Sequence, residues 1–473
     1  MPIFDPDTLA KWTSGDWKSS PESLMTGFGI DSRKLKTGDI FVAIKADRDG
    51  HDYLHDAKQN GAVAGLVNKV RLDIDLPQLL VKDSYKAFHD IASSHRHRFK
   101  GTVVGITGSC GKTSTKDALA ILLGENETLY TEGNFNNHLG VPLTLLRIDG
   151  ENHSKCVVEA GINEIGEMKI LSKMISPDIV IVTLIAPSHL EGLKNLETIA
   201  SEKADLFLKS DRDSTVIFPE ECLKYKEFNT YFEVSENVIL LREGKPKGDI
   251  KPKESYYSIW TETNKIGSPS LLRLWRHGFP SVSISLPNLS RGMGRNIALA
   301  VLAACEAGVS VQEISDRLPR FRPSALRGKC FQGRGRSYLL DCYNANPASM
   351  VDSIEFFKSK FPCTPKLYVL AGMEELGGNE FFFHVELGRK IIGEKDDVFI
   401  LLGKKASWIS EGLLANGIRE DQIIVLMEMR DATPIVEDFK GSVLFKGSRS
   451  YELENLLPGW AVEENKEGEK SKC

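Results

Sequence analysis

Thr107-Gly-Ser-Cys-Gly-Lys-Thr-Ser114 is the stretch on which the reading of this chain turns. The apolar run Thr102-Val-Val-Gly-Ile106 before it predicts a buried strand, and Thr115 to Leu123 carries apolar residues at helical spacing. Between them, Gly108, Ser109, Cys110 and Gly111 let the backbone close around a polyphosphate, so that N–H groups and a helix dipole face the negative charge. Lys112 is expected to reach the terminal phosphates, Thr113 to hold a magnesium ion through its hydroxyl, and Ser114 to complete the cradle. The strict G-x-x-x-x-G-K-S/T pattern is not met, because Ile106 occupies its first glycine position. A glycine-rich turn with a chance lysine is the competing reading. The strand–loop–helix setting favours nucleoside triphosphate binding.

At 473 residues the chain exceeds one ordinary core, and about three domains are expected. Its 41% hydrophobic and 26% charged residues are those of a globular protein, and a net charge of −5 argues against a nucleic-acid partner. The start, Met-Pro-Ile-Phe-Asp-Pro-Asp, lacks the basic and apolar segments of a secretory signal, and no stretch approaches a membrane span. Eight scattered cysteines without a C-x-x-C pair suggest neither a zinc site nor a disulfide framework, which points to a cytoplasmic protein. Cys110 reads as a small filler rather than a nucleophile, since no base stands beside it in sequence.

The expected fold class is α/β in three domains. Residues 1–85 form a small α/β unit with β-like runs at Gly38–Ile44 and Gly61–Val67, followed by a helix at Ser84–Arg98. Residues 86–318 form a central parallel-sheet domain around the phosphate loop, with core strands at Cys156–Glu159 and Asp178–Ile185 and an alanine-rich helix over Asn296–Gly308. The stretch 219–285 is less regular, with turn-formers and short β-like runs. Residues 319–462 form a Rossmann-like doubly wound domain, with strands at Lys366–Ala371, Asp397–Leu402, Gln422–Leu426 and Ser442–Phe445. The charged tail 463–473 is expected to be disordered.

Three further residues draw notice by position. Glu159 ends a core strand, where nucleotide-binding proteins often place a magnesium-directed acid, and where a solvated glutamate is about as common. His189 follows another strand end in Ala186-Pro-Ser-His-Leu-Glu191, a place equally open to a structural histidine. Lys203, in Ile199-Ala-Ser-Glu-Lys-Ala-Asp205, reads from spacing alone as an ordinary helix-face lysine.

Taken together, Gly105-Ile-Thr-Gly-Ser-Cys-Gly-Lys-Thr-Ser-Thr-Lys116, Gly133-Asn-Phe-Asn-Asn137 with Gly140-Val-Pro142, Glu159 with Gly161, His189 and Lys203 resemble the Mur ligase family. These are three-domain, ATP-dependent, amide-forming enzymes of bacterial cell-wall synthesis. Asp341-Cys-Tyr-Asn-Ala-Asn-Pro347 with Ser349-Met350, Met373-Glu-Glu-Leu-Gly377 with His384, and Leu444-Phe-Lys-Gly-Ser-Arg449 resemble the branch that joins D-alanyl-D-alanine to UDP-N-acetylmuramoyl-tripeptide. The resemblance implies ATP and two magnesium ions. Thr113, Glu159, His189 and Lys203 would serve the metals, with Lys203 carbamylated and Lys112, Lys203 and His189 catalytic. Asn296 and Arg327 match positions that contact adenine and phosphate, and Asp341 a ribose-binding or hinge-side acid. Ser32 and Arg33, in Asp31-Ser-Arg33 with Phe41 and Asp49-Gly-His51, resemble the segment holding the uridine diphosphate, with Asn136 and Asn137 also toward substrate. Asn344 and Asn346 would lie near ATP and the dipeptide, and Lys446 and Arg449 near peptide carboxylates. Arg33 could equally form a surface ion pair, Asn344 and Asn346 shape a turn, and Arg449 cap a helix. A monomer without membrane insertion is expected.

The chain departs from the family pattern at Leu340, Gly372, Gly292, His138 and Asp205. The departures predict altered affinity for ATP or the dipeptide rather than loss of catalysis. The alternatives are a tripeptide-forming or folylpolyglutamate synthase-like ligase, and a nucleotide-binding relative that has lost ligation.

Overall fold

The apolar run before the phosphate loop forms the strand Thr102–Thr107, and nearly all of its side chains are buried. The computed structural model describes residues 1–244, 257–261, 270–275, 282–286, 289–324 and 326–461. The predicted tail 463–473 lies outside the described residues. Gly111, with φ of +84°, leads the chain straight into the helix Lys112–Leu123, so that helix begins about a turn before its apolar periodicity does.

Thr102–Thr107 lies inside a nine-stranded sheet, hydrogen-bonded in parallel to Lys155–Glu159 on one side and Ile179–Val182 on the other. Thr128–Tyr130 closes one edge, and Thr215–Pro219 and Val238–Glu243 continue the sheet in parallel on the other. Beyond them, in the stretch read as less regular, the sheet is no longer parallel throughout. Tyr257–Thr261 pairs in parallel with Val238–Glu243, but Ser270–Trp275 and Val282–Leu286 follow as an antiparallel meander. The connections between these last strands are shorter than the dozen or so residues that a parallel crossover needs, so the strands run antiparallel.

The alanine-rich helix begins at Arg291, five residues before the predicted Asn296, with Ser290 as its N-cap accepting a hydrogen bond from Met293 N at 3.1 Å. Its Ile297, Ala298, Val301 and Leu302 pack with Ala118, Leu119 and Leu122 of the helix Lys112–Leu123 and with Ile106 and Ile181 beneath them.

Residues before Ser84 build a five-stranded sheet that is parallel except for its edge strand Asp16–Trp17. The helix Ser84–Arg98 packs on both sheets, its Phe88 and Ile91 sharing a core with Leu66 of the first and Val158 of the second. Arg96 on that helix is fully buried and donates to the carbonyls of Ile175 and Ser176 and to Asp178.

The third sheet has six strands, parallel apart from the hairpin Lys329–Gly333 and Arg336–Asp341. Its helices Glu380–Lys390 and Ile409–Ala415 meet at Gly388 and Gly412. A Cβ on Gly412 would stand 2.0 Å from the Val385 carbonyl oxygen, and one on Gly388 2.3 Å from that of Ile409. Gly412→Ala is therefore expected to cost about 1–3 kcal/mol through forced separation of the helices. A thermal melt should show a lowered transition, and an unchanged one would mean the helices part freely.

Candidate active site

The phosphate loop follows the strand at which the order of the central sheet reverses, the place where open α/β sheets bind ligands. Its shape is fixed from the neighbouring strand end. Gly108 has φ of +142° and no room for a side chain, since a Cβ would fall 1.9 Å from Thr183 Oγ1. Thr183 Oγ1 donates to the Cys110 carbonyl at 2.5 Å, and Ser109 Oγ donates to that of Ala186 at 2.7 Å. Thr183 is a site residue that sequence reasoning missed: it lies inside the predicted strand Asp178–Ile185, but the strand stops at Val182 and leaves it at the strand end. Lys112 Nζ donates to the Gly108 carbonyl at 2.8 Å, and burial pushes its pKa down against the pull of Glu159. Burial pushes the Cys110 thiol up, which fits a filler rather than a nucleophile.

A cavity of about 760 Å³ opens over this loop. Ser109 to Ser114, Asn136, Asn137, Glu159, His189, Asn296, Arg327, Asp341, Asn344, Asn346 and Lys446 all line it. Glu159, only 1% exposed, accepts hydrogen bonds at Oε1 from Thr113 Oγ1 at 3.3 Å and Asn136 Nδ2 at 2.8 Å, while its Oε2 is buried without a partner. An orphaned buried carboxylate oxygen beside a hydroxyl is a donor set that suits magnesium, a hard ion that completes its shell with phosphate oxygens and water. Among the described residues no group of three or more His, Cys, Asp or Glu side chains is placed to ligate a metal, so no ready-made protein cage exists. Lys203 is 1% exposed on the helix Leu196–Leu208 and is absent from the cavity wall. It forms no ion pair among the described residues, and burial first, then the charge of Lys112, holds its pKa far below the usual lysine value.

The third sheet supplies the opposite wall. Asp341 and Lys446 are register partners on adjacent parallel strands, and their side chains pair at 3.3 Å. Lys446 Nζ also donates to the Asn344 carbonyl at 2.6 Å. Asn346 caps the helix Pro347–Lys360, accepting from Ser349 N at 2.8 Å. Ser448 N donates to the Gly372 carbonyl at 3.1 Å, and Glu374 N to Ser448 Oγ at 3.0 Å. Three motifs separated by up to a hundred residues thus meet at the carboxyl edge of one sheet.

Contacts between the two sheets are direct. Arg327 Nη2 donates to Thr113 Oγ1 at 3.1 Å while its guanidinium stacks over the Tyr343 ring at 4.0 Å. Gly292 N donates to Asp352 Oδ1 at 2.8 Å, and a Cβ at 292 would come within 2.6 Å of that carboxylate. Glycine at this departure makes the contact possible. At Gly372 a Cβ would lie 2.6 Å from the Tyr451 hydroxyl, so that departure makes room for an aromatic ring.

Not every expected residue reaches the cavity. Ser32 is buried in the first unit, and Arg33 is exposed and pairs with Asp31 at 2.9 Å, holding that carboxyl at about 2. Arg449 lies off the wall and pairs with Glu454 at 2.5 Å.

Comparison with known proteins shows the family. A model of the Mur ligase middle domain matches residues 106–304. UDP-N-acetylmuramoyl-tripeptide–D-alanyl-D-alanine ligase of Escherichia coli (strain K12) is 31% identical over 443 residues, covering 92% of this chain and 93% of the relative. The chain belongs to the Mur ligase family. The ligase of the same name from Bacillus subtilis (strain 168) is 29% identical over 456 residues, with 92% and 93% covered. Among solved structures, crystal structure I of MurF from Acinetobacter baumannii superposes with a TM-score of 0.84 at 26% identity, covering 97% of this Mur ligase and 98% of that chain. The MurF ligase of Thermotoga maritima in complex with ADP gives 0.75 at 26% identity, with 94% and 99% covered. Among the described residues of this Mur ligase no helix is long and apolar enough to cross a membrane.

Proposed function

We propose that this Mur ligase joins D-alanyl-D-alanine to UDP-N-acetylmuramoyl-tripeptide at the expense of ATP, in the cytoplasm and as a monomer, giving the pentapeptide precursor of peptidoglycan. The observation that carries the reading is the juxtaposition at one cavity of the phosphate loop and the Asp341–Pro347 and Lys446 segments. Relatives named for this reaction match the chain nearly end to end.

The chemistry follows from what a carboxylate lacks. It is a poor acylating agent, so the γ-phosphoryl group passes first to the tripeptide's terminal carboxylate, giving an acyl phosphate and ADP. The amine of the dipeptide attacks the acyl carbon, loses a proton, and phosphate departs from the tetrahedral intermediate. This requires positioning and charge neutralisation more than covalent help from the protein. Lys112 and Arg327 place two cations beside the transferring group, and Asn296, packed against Gly111, borders the nucleotide side. Magnesium, held by Thr113 and Glu159 and, for a second ion, by His189 and a carbamate on Lys203, would neutralise phosphate charge. A buried lysine without an anionic partner is suited to carbamylation, since the modification turns an unsolvated cation into a ligand. Asn344, Asn346 and Lys446 face the dipeptide, with Arg449 beyond them, and Ser32 and Arg33 in the domain 1–85 engage the uridine diphosphate. The central domain 86–318 serves the phosphates and the domain 319–462 the acceptor.

Mass spectrometry of the product from ATP, UDP-linked tripeptide and D-alanyl-D-alanine tests the reading. The expected product is the UDP-linked pentapeptide, with one phosphate released per bond. Bound ATP without phosphate release when both substrates are present would establish the nucleotide-binding relative that has lost ligation.

A further inference from the structure

The turn after the strand Lys366–Ala371 carries Glu375 across the cleft to His189. His189 Nδ1 lies 2.5 Å from Glu375 Oε2, and Leu190 N donates to the Glu375 carbonyl at 2.8 Å. Both residues hold left-handed backbone, with φ of 50° at His189 and 63° at Glu375. Such conformations are uncommon outside glycine and persist where surrounding structure imposes them, often at functional sites. Gly377, also left-handed, brings backbone against backbone, since its Cβ position lies 3.5 Å from Leu190 O and Glu191 N. The contact joins the central sheet to the third sheet beside the phosphate cavity, which His189 lines.

We infer that Glu375 is a positioning residue that acts through His189: docking of the third sheet delivers its carboxylate to Nδ1, fixing the ring and leaving Nε2 as the nitrogen available to a metal. This rests on the reading of His189 as a magnesium ligand. Imidazole ligands almost always give their second ring nitrogen to a carboxylate or carbonyl, which sets the tautomer and raises ligand basicity. Here that partner comes from a different sheet than the ligand. The metal site on the ATP-binding sheet is therefore completed only when the acceptor-binding sheet is seated, so docking is coupled to phosphoryl transfer.

The test uses the full chain with Mn²⁺ as probe, measuring free Mn²⁺ by electron paramagnetic resonance in the presence of a non-hydrolysable ATP analogue. Glu375→Ala is expected to weaken Mn²⁺ binding by about 10–100-fold, and His189→Ala by at least as much. The double variant should add little, because both remove one unit. Glu375→Gln, whose amide oxygen still accepts the ring N–H, should retain most of the affinity, which excludes misfolding as the cause. Steady-state assays should show the Glu375→Ala defect as a raised half-saturating Mg²⁺ concentration. If Glu375→Ala binds Mn²⁺ as the parent does while His189→Ala does not, Glu375 is only a docking contact and the inference fails alone. If His189→Ala also binds as the parent does, the metal-ligand reading falls and takes the inference with it.

Discussion

Lys112→Ala is expected to abolish turnover, with a loss of at least about 10²–10³-fold in kcat from removal of one preorganised charge on the transferring phosphoryl group. The side chain stands in the first turn of its helix, and its ammonium rests on the Gly108 carbonyl at 2.8 Å. A phosphate oxygen would displace that carbonyl, so the cation is held in place beforehand. Burial pushes the pKa of Lys112 down, and the Glu159 charge opposes that shift. Phosphate release with both substrates measures the effect, and a thermal melt checks that the fold survives. Undiminished turnover would remove the loop from the mechanism.

The second large effect is expected at Lys203. Alanine there should lower turnover by about 10²-fold or more, since metal-borne charge stabilisation is worth several kcal/mol and each 1.36 kcal/mol is tenfold. The diagnostic result is chemical. If the carbamate is the working form, formate or acetate should partly restore activity to Lys203→Ala by occupying the vacated space. Lys203→Arg, which keeps a cation and cannot carry a carbamate, should be inactive and insensitive to added carboxylate. Equal activity of all three proteins would return Lys203 to the ordinary buried lysines. The residue's environment makes the effect specific, because an ammonium 1% exposed without an ion-pair partner among the described residues is costly unless it is neutral or modified.

Much of the fold was legible along the chain. The strands Thr102–Thr107, Lys155–Glu159, Lys366–Ala371 and Ser442–Lys446 lie within a residue or so of their apolar runs, because strands buried on both faces are written as continuous hydrophobic segments. The helix Ser84–Arg98 has the predicted limits, marked by the Asp83 N-cap. In 219–285 short β-like runs were legible but not their bounds or antiparallel order, since an edge meander is specified by pairing with its neighbours more than by composition. The helices at Lys112 and Arg291 start ahead of their apolar stripes, because caps at Gly111 and Ser290 extend each one.

By itself, the sequence determined a phosphate loop between strand and helix, two largely parallel sheets, and the motif segments that line the cavity. Local patterns suffice for these because glycine freedom, apolar periodicity and capping act within a few residues. Which residues share one cavity was decided only by tertiary structure. Thr183 shaping the loop, Asp352 on Gly292, and Glu375 on His189 are contacts across strands or across sheets. Each depends on register and on how one sheet sits against another, and no spacing along the chain encodes that.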